Sequence, residues 1–313
     1  MTLSNLIRRS VVSSVELVRR GGRPVVWTPE WMGFGNVLYV LHWVQTARRR
    51  GIAMWARQTP VLTPWLDIFP ELQQFVIPAE EIRFTDRRLM PFSQAGRAAL
   101  PEGLYDRVKP LRPEAPFEDF IRTCLLPGVT RRDPQPPPAD SQTVIVNVRR
   151  GDYYSNPEHR AAYGFDVENY IDAALTRTVV LHGPIATIRL VSDDPEWCRR
   201  TLQLDQFARE VSSASVHEGP VENFFDVARA YRMVITNSTF SYWAAMVSNV
   251  RHANNHSQVV APRFFDRSRD AGRSTLVDNR WTIIEDLPGG WDPPEDRAIS
   301  TDDPGGSPAV PER

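Results

Sequence analysis

The chain has few cysteines and no long apolar run. Cys124 and Cys198 are its only cysteines, and they lie far apart without a Cys-x-x-Cys pair or a cluster with histidine. This spacing argues against a disulfide framework and a structural zinc site, and it is typical of a reducing compartment. No stretch approaches the ~20 consecutive apolar residues of a membrane-spanning helix. We therefore expect no bound metal and no membrane span.

The first residues also lack the apolar core of a secretory signal, because arginines follow a short apolar patch in MTLSNLIRRSVVSSVELVRR. A cytoplasmic protein is the expectation that follows. The spacing of Leu6, Val11, Val15 and Val18 allows an amphipathic helix. Such a helix would either pack on the domain or lie on a membrane surface.

The chain has almost no net charge and very little lysine. Its formal net charge is −1 over 313 residues, and Lys109 is the only lysine among 37 basic Lys and Arg residues. No global field would recruit nucleic acid, so any anion site must be local. The length allows two domains of ordinary size.

An apolar segment at residues 143–148, TVIVNV, runs straight into Arg149, Arg150, Gly151 and Asp152. The run predicts a buried strand of an α/β sheet. Ligands of such sheets bind outside the carboxyl ends of the strands, and arginine pairs bidentately with phosphate oxygens. The segment therefore indicates a diphosphate site, although a strand followed by a solvated charged turn would show the same pattern.

A βαβ unit is predicted near the start of the chain. Residues 25–27 read as a strand, residues 33–36 (GFGN) as a glycine turn, residues 37–50 as a helix and residues 52–56 as a second strand. The glycines would let the backbone approach an anion at the helix N-terminus. The alternative is that the turn is only a tight connection.

Two further predicted strands end in polar residues. Residues 186–191 lead into Ser192, Asp193 and Asp194, of which one is expected to cap the next helix, leaving the other to bind ribose hydroxyls or base N–H groups. After a strand at residues 233–236, the segment NSTFS at residues 237–241 places three hydroxyls and the amide of Asn237 before a helix at residues 244–248. They would bind phosphate or, in the alternative, cap that helix.

The alternation of predicted strands and helices along the chain predicts doubly wound α/β domains. A proline-rich connector at residues 131–140 separates them. The sequence thus predicts an N-terminal domain over residues 1–135, a C-terminal domain suited to a nucleotide diphosphate over residues 136–287, and a disordered tail over residues 288–313.

These segments, in this order, resemble the bacterial and animal α-1,2-fucosyltransferase family. That family carries a glycine-rich turn, an HxRRGDY motif, an SDDxEWC motif and an NSTFSWW motif. Their counterparts are GFGN at residues 33–36, NVRRGDY at 147–153, SDDPEWC at 192–198 and NSTFSYW at 237–243. The resemblance covers residues 27–284.

The resemblance implies a GT-B-like fold, with two Rossmann-like domains and a cleft between them. It implies inverting, metal-independent transfer of fucose from GDP-fucose to a hydroxyl of a glycan, which we expect to be O2 of galactose. The donor would be a substrate rather than a cofactor. The partners would be a nucleotide sugar and a glycan acceptor, with peripheral membrane association if the acceptor is lipid-linked.

The resemblance also assigns roles to residues. Arg149 would stabilise the charge on the departing GDP, and Asp152 would orient Arg149 and Arg150 rather than act as a base. The remaining matched positions would bind the donor. They are Gly33, Gly35, Asn36, Asn147, Arg150, Asp193, Asp194, Asn237, Ser238, Thr239 and Ser241.

Two positions depart from the family pattern. Asn147 stands where the motif has histidine, and Val37 where the glycine turn has glutamine. Asparagine can replace a hydrogen-bonding imidazole but cannot accept a proton. Two alternatives therefore remain, namely a related transferase with another nucleotide sugar and a degenerate protein that binds nucleotide sugars without turnover.

Overall fold

The computed structural model describes most of the chain. The described residues are 18–19, 21–89, 114–135, 142–213, 219–253, 255–267, 272–274 and 276–293. Of the predicted N-terminal amphipathic segment, Leu6, Val11 and Val15 lie outside them, and Val18 is 56% exposed. Two compact units divide the chain, Met1–Gln135 and Pro136–Arg313. The division falls where the sequence predicts the end of the first domain.

The first unit has a parallel sheet of four strands. Its elements are β1 (Pro24–Val26), α1 (Phe34–Arg49), β2 (Trp55–Arg57), α2 (Thr63–Ile68), β3 (Val76–Ile77), β4 (Arg87–Leu89), α3 (Glu114–Phe120) and α4 (Leu126–Arg132). Short 3-10 helices cover Pro70–Phe75 and Ala79–Glu81, and a π-helical turn covers Ile121–Leu125. The strand order is β3-β2-β1-β4, and every pair is parallel.

Helix α1 forms where the glycine turn ends. Gly33 holds an extended conformation at its N-cap, and Leu38, Leu41 and Val44 are fully buried in the core. The helix stops before Gly51, whose φ of 78° is a left-handed conformation that glycine adopts without strain. The predicted βαβ unit is therefore present. Its second strand begins later than predicted, at Trp55.

The second unit has a parallel sheet of six strands. Its elements are β5 (Thr143–Val148), α5 (Gly151–Ser155), α6 (Pro157–Tyr163), α7 (Val167–His182), β6 (Ile185–Ser192), α8 (Pro195–Thr201), β7 (Ala208–Ser213), α9 (Pro220–Arg229), β8 (Arg232–Ile235), α10 (Thr239–His252), β9 (Val259–Pro262) and β10 (Thr282–Ile284). Short 3-10 helices cover Leu204–Gln206 and His256–Gln258. The strand order is β10-β9-β8-β5-β6-β7, again with parallel pairs throughout.

This is the strand order of a Rossmann sheet. Strands β5, β6 and β7 extend from the centre of the sheet to one edge, and β8, β9 and β10 extend to the other. β5 is buried along nearly its whole length, as its apolar run predicts. Helix α7 covers the sheet with Tyr170 and Leu175, which are fully buried beside Val146. The predicted α/β fold class with two Rossmann-like domains is confirmed. The cleft between the domains stays a prediction.

The start of the predicted disordered tail is ordered. The Asp166 N–H donates to the Trp291 carbonyl at 2.9 Å. The Trp291 ring lies 5.6 Å from that of Phe264 and 5.9 Å from that of Phe165, centroid to centroid. The prediction is thus wrong for residues 288–293, because a tryptophan in this proline- and glycine-rich segment packs on the core. Residues 294–313 lie outside the described residues.

Within the described ranges, no helix is both long and apolar enough to cross a membrane.

Replacing Trp291 with alanine should destabilise the second unit. The ring contacts of Trp291 with Phe165 and Phe264 would be lost, so we expect the free energy of unfolding to fall by about 2–3 kcal/mol. The change should be measured by urea unfolding of both variants and the unmodified protein. Trp31→Ala is the matched control, since Trp31 is 78% exposed. Equal losses for the two variants would contradict the ordered packing of Trp291.

Candidate functional site

The candidate site lies where the strand order of the second sheet reverses. β5 and β8 are neighbours there, with Val144 opposite Arg232 and Asn147 opposite Ile235. Their carboxyl ends therefore face the same edge, although they come from opposite halves of the unit. Ligands of open α/β sheets bind in the crevice at such a reversal.

A hydrogen bond joins the two strand ends. The backbone N–H of Arg149 donates to Thr236 Oγ1 at 2.8 Å, and the Thr236 N–H donates to the Asn147 carbonyl at 3.1 Å. Thr236 is fully buried. The sequence marks the strand end at Thr236 as polar, but Thr236 was not among the predicted site residues. The only available signal was a hydroxyl residue at the end of an apolar strand.

The Arg149 guanidinium extends toward solvent between two carboxylates. Nη1 donates to Asp193 Oδ2 at 2.6 Å, and Nη2 donates to Asp152 Oδ1. The side chain is 37% exposed. A guanidinium has five N–H groups, so others remain for an anion after these two bonds to described residues. Arg149 can therefore bind phosphate without leaving its position, and Asp152 lies where an orienting carboxylate is predicted.

Arg150 points into the protein instead. Its guanidinium carbon lies 4.0 Å from the centroid of the Tyr154 ring and 3.8 Å from that of Trp197. Its Nε lies 3.3 Å from Asp194 Oδ2, and the side chain is 18% exposed. Cation–π contacts on two rings together with an ion pair hold this arginine as a structural element. The two adjacent arginines thus differ in role, and the predicted donor contact of Arg150 has no support in this geometry.

The two aspartates after β6 both bind within the protein. Asp194 caps α8 by accepting from the Trp197 N–H at 3.2 Å, as one of the two was expected to do. Asp193 accepts from the N–H groups of Arg150 at 2.8 Å and Gly151 at 3.1 Å. The structure therefore gives protein partners to both carboxylates, whereas the sequence left one of them for the nucleoside.

Asn147 and Ser241 lie beneath the site rather than in it. They are 5% and 1% exposed. Asn147 Nδ2 donates to the Val191 carbonyl at 3.1 Å, and Asn147 Oδ1 accepts from the Ser241 hydroxyl at 2.5 Å. These bonds tie β5 to β6 and to α10. They give both residues a structural role, and the predicted contact of either one with the donor is unsupported.

The start of α10 remains a candidate anion position. Ser238 is its N-cap, in an extended conformation and with no capping bond from its hydroxyl in the described structure, and the first turn carries no acidic residue. Thr239 is the first helical residue. Free N–H groups at a helix N-terminus favour anions. The hydroxyls of Ser238 and Thr239 thus lie at the predicted phosphate position, near Thr236 and hence near Arg149.

Asn237 is occupied within the fold. It is fully buried, and its Nδ2 donates to the carbonyls of Tyr163 and Phe265 at 2.9 Å each. The amide therefore positions α6 and the segment after β9 around the site. Its predicted contact with the donor is unsupported as well.

The glycine turn lies in the first unit. Gly33 is exposed at the N-cap of α1, Gly35 is buried and Asn36 is half-buried. A Cβ on Gly33 would meet nothing within 4 Å, and the first turn has no acidic residue. The N-terminus of α1 is thus open to an anion. The donor-binding roles of these three residues stay predictions.

Chemistry that needs a reactive thiol has no support at this site. Burial raises the pKa of Cys198 to about 11, so the thiol stays protonated at neutral pH. Burial likewise raises the pKa of Tyr153, which follows Asp152 in the chain. The described residues contain no group of three histidine, cysteine or acidic side chains that could hold a metal ion. Metal independence itself stays a prediction.

Replacing Ser241 with alanine should lower stability and leave donor affinity unchanged. The substitution leaves Asn147 Oδ1 without its donor in the interior, which costs about 1–3 kcal/mol of unfolding free energy. Urea unfolding and calorimetric titration with GDP would measure the two effects. Ser257→Ala is a control at a serine whose backbone carbonyl, not its hydroxyl, makes the observed bonds. Weaker GDP binding at unchanged stability would restore Ser241 as a donor contact.

Comparison with known proteins identifies the family. The family model described as Glycosyl transferase family 11 matches residues 120–284, a range that contains the whole candidate site of the second unit. Among curated proteins, the O-antigen biosynthesis glycosyltransferase WbnK of Escherichia coli is 23% identical over 137 residues, 44% of this chain and 43% of that protein. An alpha-1,2-colitosyltransferase of Escherichia coli is 30% identical over 111 residues, 35% of this chain and 37% of that protein.

The aligned segments span less than half of either relative. Among solved structures, Arabidopsis thaliana FUT1 in complex with GDP aligns with a TM-score of 0.47 at 13% identity, covering 90% of this chain and 77% of that one. The Escherichia coli heptosyltransferase WaaC with ADP gives a TM-score of 0.42 at 12% identity, covering 88% and 98%. The family model matches more than half of the sequence. The chain therefore belongs to glycosyl transferase family 11.

Proposed function

We propose that this protein transfers fucose from GDP-fucose to a hydroxyl group of a glycan acceptor, O2 of a galactose residue in the favoured case. One observation carries the proposal. In a member of glycosyl transferase family 11, a partly exposed arginine lies at the reversal of strand order in the nucleotide-binding type of sheet. That is where a diphosphate leaving group would bind.

The groups around Arg149 suit the diphosphate of the donor. The guanidinium keeps N–H groups for phosphate oxygens after pairing with Asp152 and Asp193. Thr236 joins Arg149 to the strand end that leads into α10. The first turn of α10 offers N–H groups together with the hydroxyls of Ser238 and Thr239. Positive charge and helix dipole therefore converge on one anion.

The reaction that we propose is a single displacement. The acceptor oxygen attacks the anomeric carbon of fucose, and the bond from that carbon to the β-phosphate oxygen breaks. The bonding electrons leave with GDP, and the hydroxyl proton passes to a base. Negative charge develops on the β-phosphate, so Arg149 stabilises the transition state more than the ground state. The attack on the opposite face inverts the anomeric configuration.

Arg149 would do the work that a metal ion does in other transferases. Tyr153 is a poor choice for the base, because its raised pKa keeps the phenol neutral at neutral pH. Cys198 is excluded on the same ground. The base is therefore better sought among groups that do not face Arg149.

A second donor is favoured by one of the relatives. The alpha-1,2-colitosyltransferase matches this chain at 30% identity over 111 residues. A colitosyl group carried on GDP would place the same diphosphate on Arg149 and differ only in the sugar. The phosphate site alone does not separate these two donors, so the choice depends on the sugar-binding part of the site.

A panel of donors and acceptors tests the proposal. The protein should release GDP from GDP-fucose in the presence of a β-galactoside and EDTA, with the fucosylated product detected by mass spectrometry. GDP-colitose, GDP-mannose and UDP-galactose are the comparison donors. Faster turnover of GDP-colitose would replace fucose by colitose in the proposal. GDP binding without transfer to any acceptor would indicate a degenerate binding protein, and absence of both would refute the proposal.

Arg149→Ala should reduce kcat by about 100-fold or more, because the charge that stabilises the leaving group is lost. Arg149→Lys should restore only part of the rate, since an ammonium lacks the planar fork. Arg229→Ala is the matched control, because Arg229 and Asp226 form an ion pair across a helical turn as Arg149 and Asp152 do. An unchanged rate in Arg149→Ala would remove this arginine from the mechanism.

A further inference from the structure

We infer that Asp193 is a positioning residue that holds the turn at residues 149–151 and aims the Arg149 guanidinium at the donor diphosphate. The inference rests on the proposed function of Arg149. It assigns Asp193 a different role from contact with the ribose or base, which the sequence suggested.

One carboxylate holds both the backbone and the side chain of this turn. Oδ1 accepts from the N–H groups of Arg150 and Gly151, at 2.8 and 3.1 Å. Oδ2 accepts from Arg149 Nη1 at 2.6 Å. Bonds to a charged acceptor are stronger than neutral ones. Asp193, which follows β6, therefore fixes the backbone path after β5 and the direction of the catalytic guanidinium together.

Gly151 supplies an independent observation. A Cβ at this position would lie 2.4 Å from Asp193 Oδ2 and 3.0 Å from its Cγ. These distances are shorter than non-bonded contact allows, so any larger residue must displace the carboxylate. Glycine at position 151 is required by the approach of Asp193 and not by its own backbone angles, since Gly151 is not among the residues with positive φ.

Asp193 and Asp152 differ in how firmly they are held. Asp152 is 49% exposed, bonds to Arg149 through Oδ1, and has Oδ2 3.5 Å from His159 Nδ1. Asp193 is 27% exposed and accepts three bonds with both oxygens. When phosphate approaches Arg149, Asp152 is thus the partner that can yield. Asp193 keeps the turn in place.

Removing the negative charge of Asp193 distinguishes a positioning role from direct contact with the ligand. An ionised Asp193 close to the diphosphate repels it, so neutralising Asp193 should leave GDP binding unchanged or strengthen it. The same change should misplace Arg149 and lower kcat. A ribose or base ligand would behave in the opposite way, because losing it weakens GDP binding.

The test begins with Asp193→Asn. We expect kcat to fall by about 10- to 100-fold, the loss typical of a misplaced catalytic group, while the Kd for GDP does not rise. In the background of Arg149→Ala, the second substitution should have almost no further effect on kcat, because it acts through that arginine. A raised Kd for GDP, or losses that multiply in the double variant, would overturn the inference.

Gly151→Ala should reproduce the same pattern by pushing the carboxylate away from Arg149. Asp226→Asn is the matched control for folding. Asp226 is a buried carboxylate between Arg189 and Arg229, and its loss should lower Tm without lowering kcat of the folded protein. If Asp226→Asn lowered kcat as much as Asp193→Asn does, the effect would be one of stability and the inference would fail.

A readout without turnover keeps the inference separate from the proposed function. In the NMR spectrum, the amide proton of Gly151 should move upfield in Asp193→Asn, because it loses a charged acceptor. An unmoved Gly151 amide would refute the positioning contact even in an active enzyme. Absence of transfer by the unmodified protein, with the Gly151 shift observed, would instead refute the proposed function.

Discussion

The pairing of β5 with β8 is the constraint on which the candidate site depends. The two strands lie in different halves of the second unit, and the hydrogen bond from Arg149 to Thr236 joins residues 87 positions apart. A crossover returns the chain from β7 to the centre of the sheet, so that β8 lies beside β5. Without that return, Arg149 and the start of α10 would not meet at one edge.

Charge balance bears on the proposed anion site, because the chain has a net charge of −1. Arg149 and Arg150 face Asp152, Asp193 and Asp194, so the cluster repels an anion when it is viewed as a whole. The positions of the side chains lead to the opposite conclusion around Arg149. Asp194 and Arg150 neutralise each other against Tyr154 and Trp197, and Arg149 alone presents N–H groups toward solvent. Stabilisation of a departing phosphate thus depends on the direction of one guanidinium more than on the number of arginines.

The sequence was sufficient for strands β5, β6 and β8 and for the sheet edge at which the candidate site lies. Apolar runs identified β5, β6 and β8, and polar residues at their ends identified the carboxyl edge of the sheet. The sequence did not predict the direction in which each polar side chain points. Periodicity reports which face of an element is buried, and it says nothing about whether Arg149 or Arg150 turns outward.

Long-range partners account for the remaining errors. The Asp193 carboxylate accepts hydrogen bonds from N–H groups more than 40 positions away in the chain. No local sequence pattern therefore shows that this carboxylate has partners within the protein. Trp291 packs on Phe165 and Phe264 from within a segment whose composition is typical of disorder. A single tryptophan buries enough apolar surface to order a short proline- and glycine-rich segment, and composition averages cannot register it.

The hydrogen bonds of Asn147 explain why it can stand where the fucosyltransferase motif has histidine. Asn147 donates one hydrogen bond to the Val191 carbonyl and accepts one from Ser241. A neutral imidazole has the same inventory, with one donor and one acceptor nitrogen. Since the position is buried under the sheet edge, the residue there ties three elements together and need not exchange a proton with the substrate. Asparagine in place of histidine therefore preserves the framework that holds Arg149. The proposed chemistry of the site stays with the guanidinium above it.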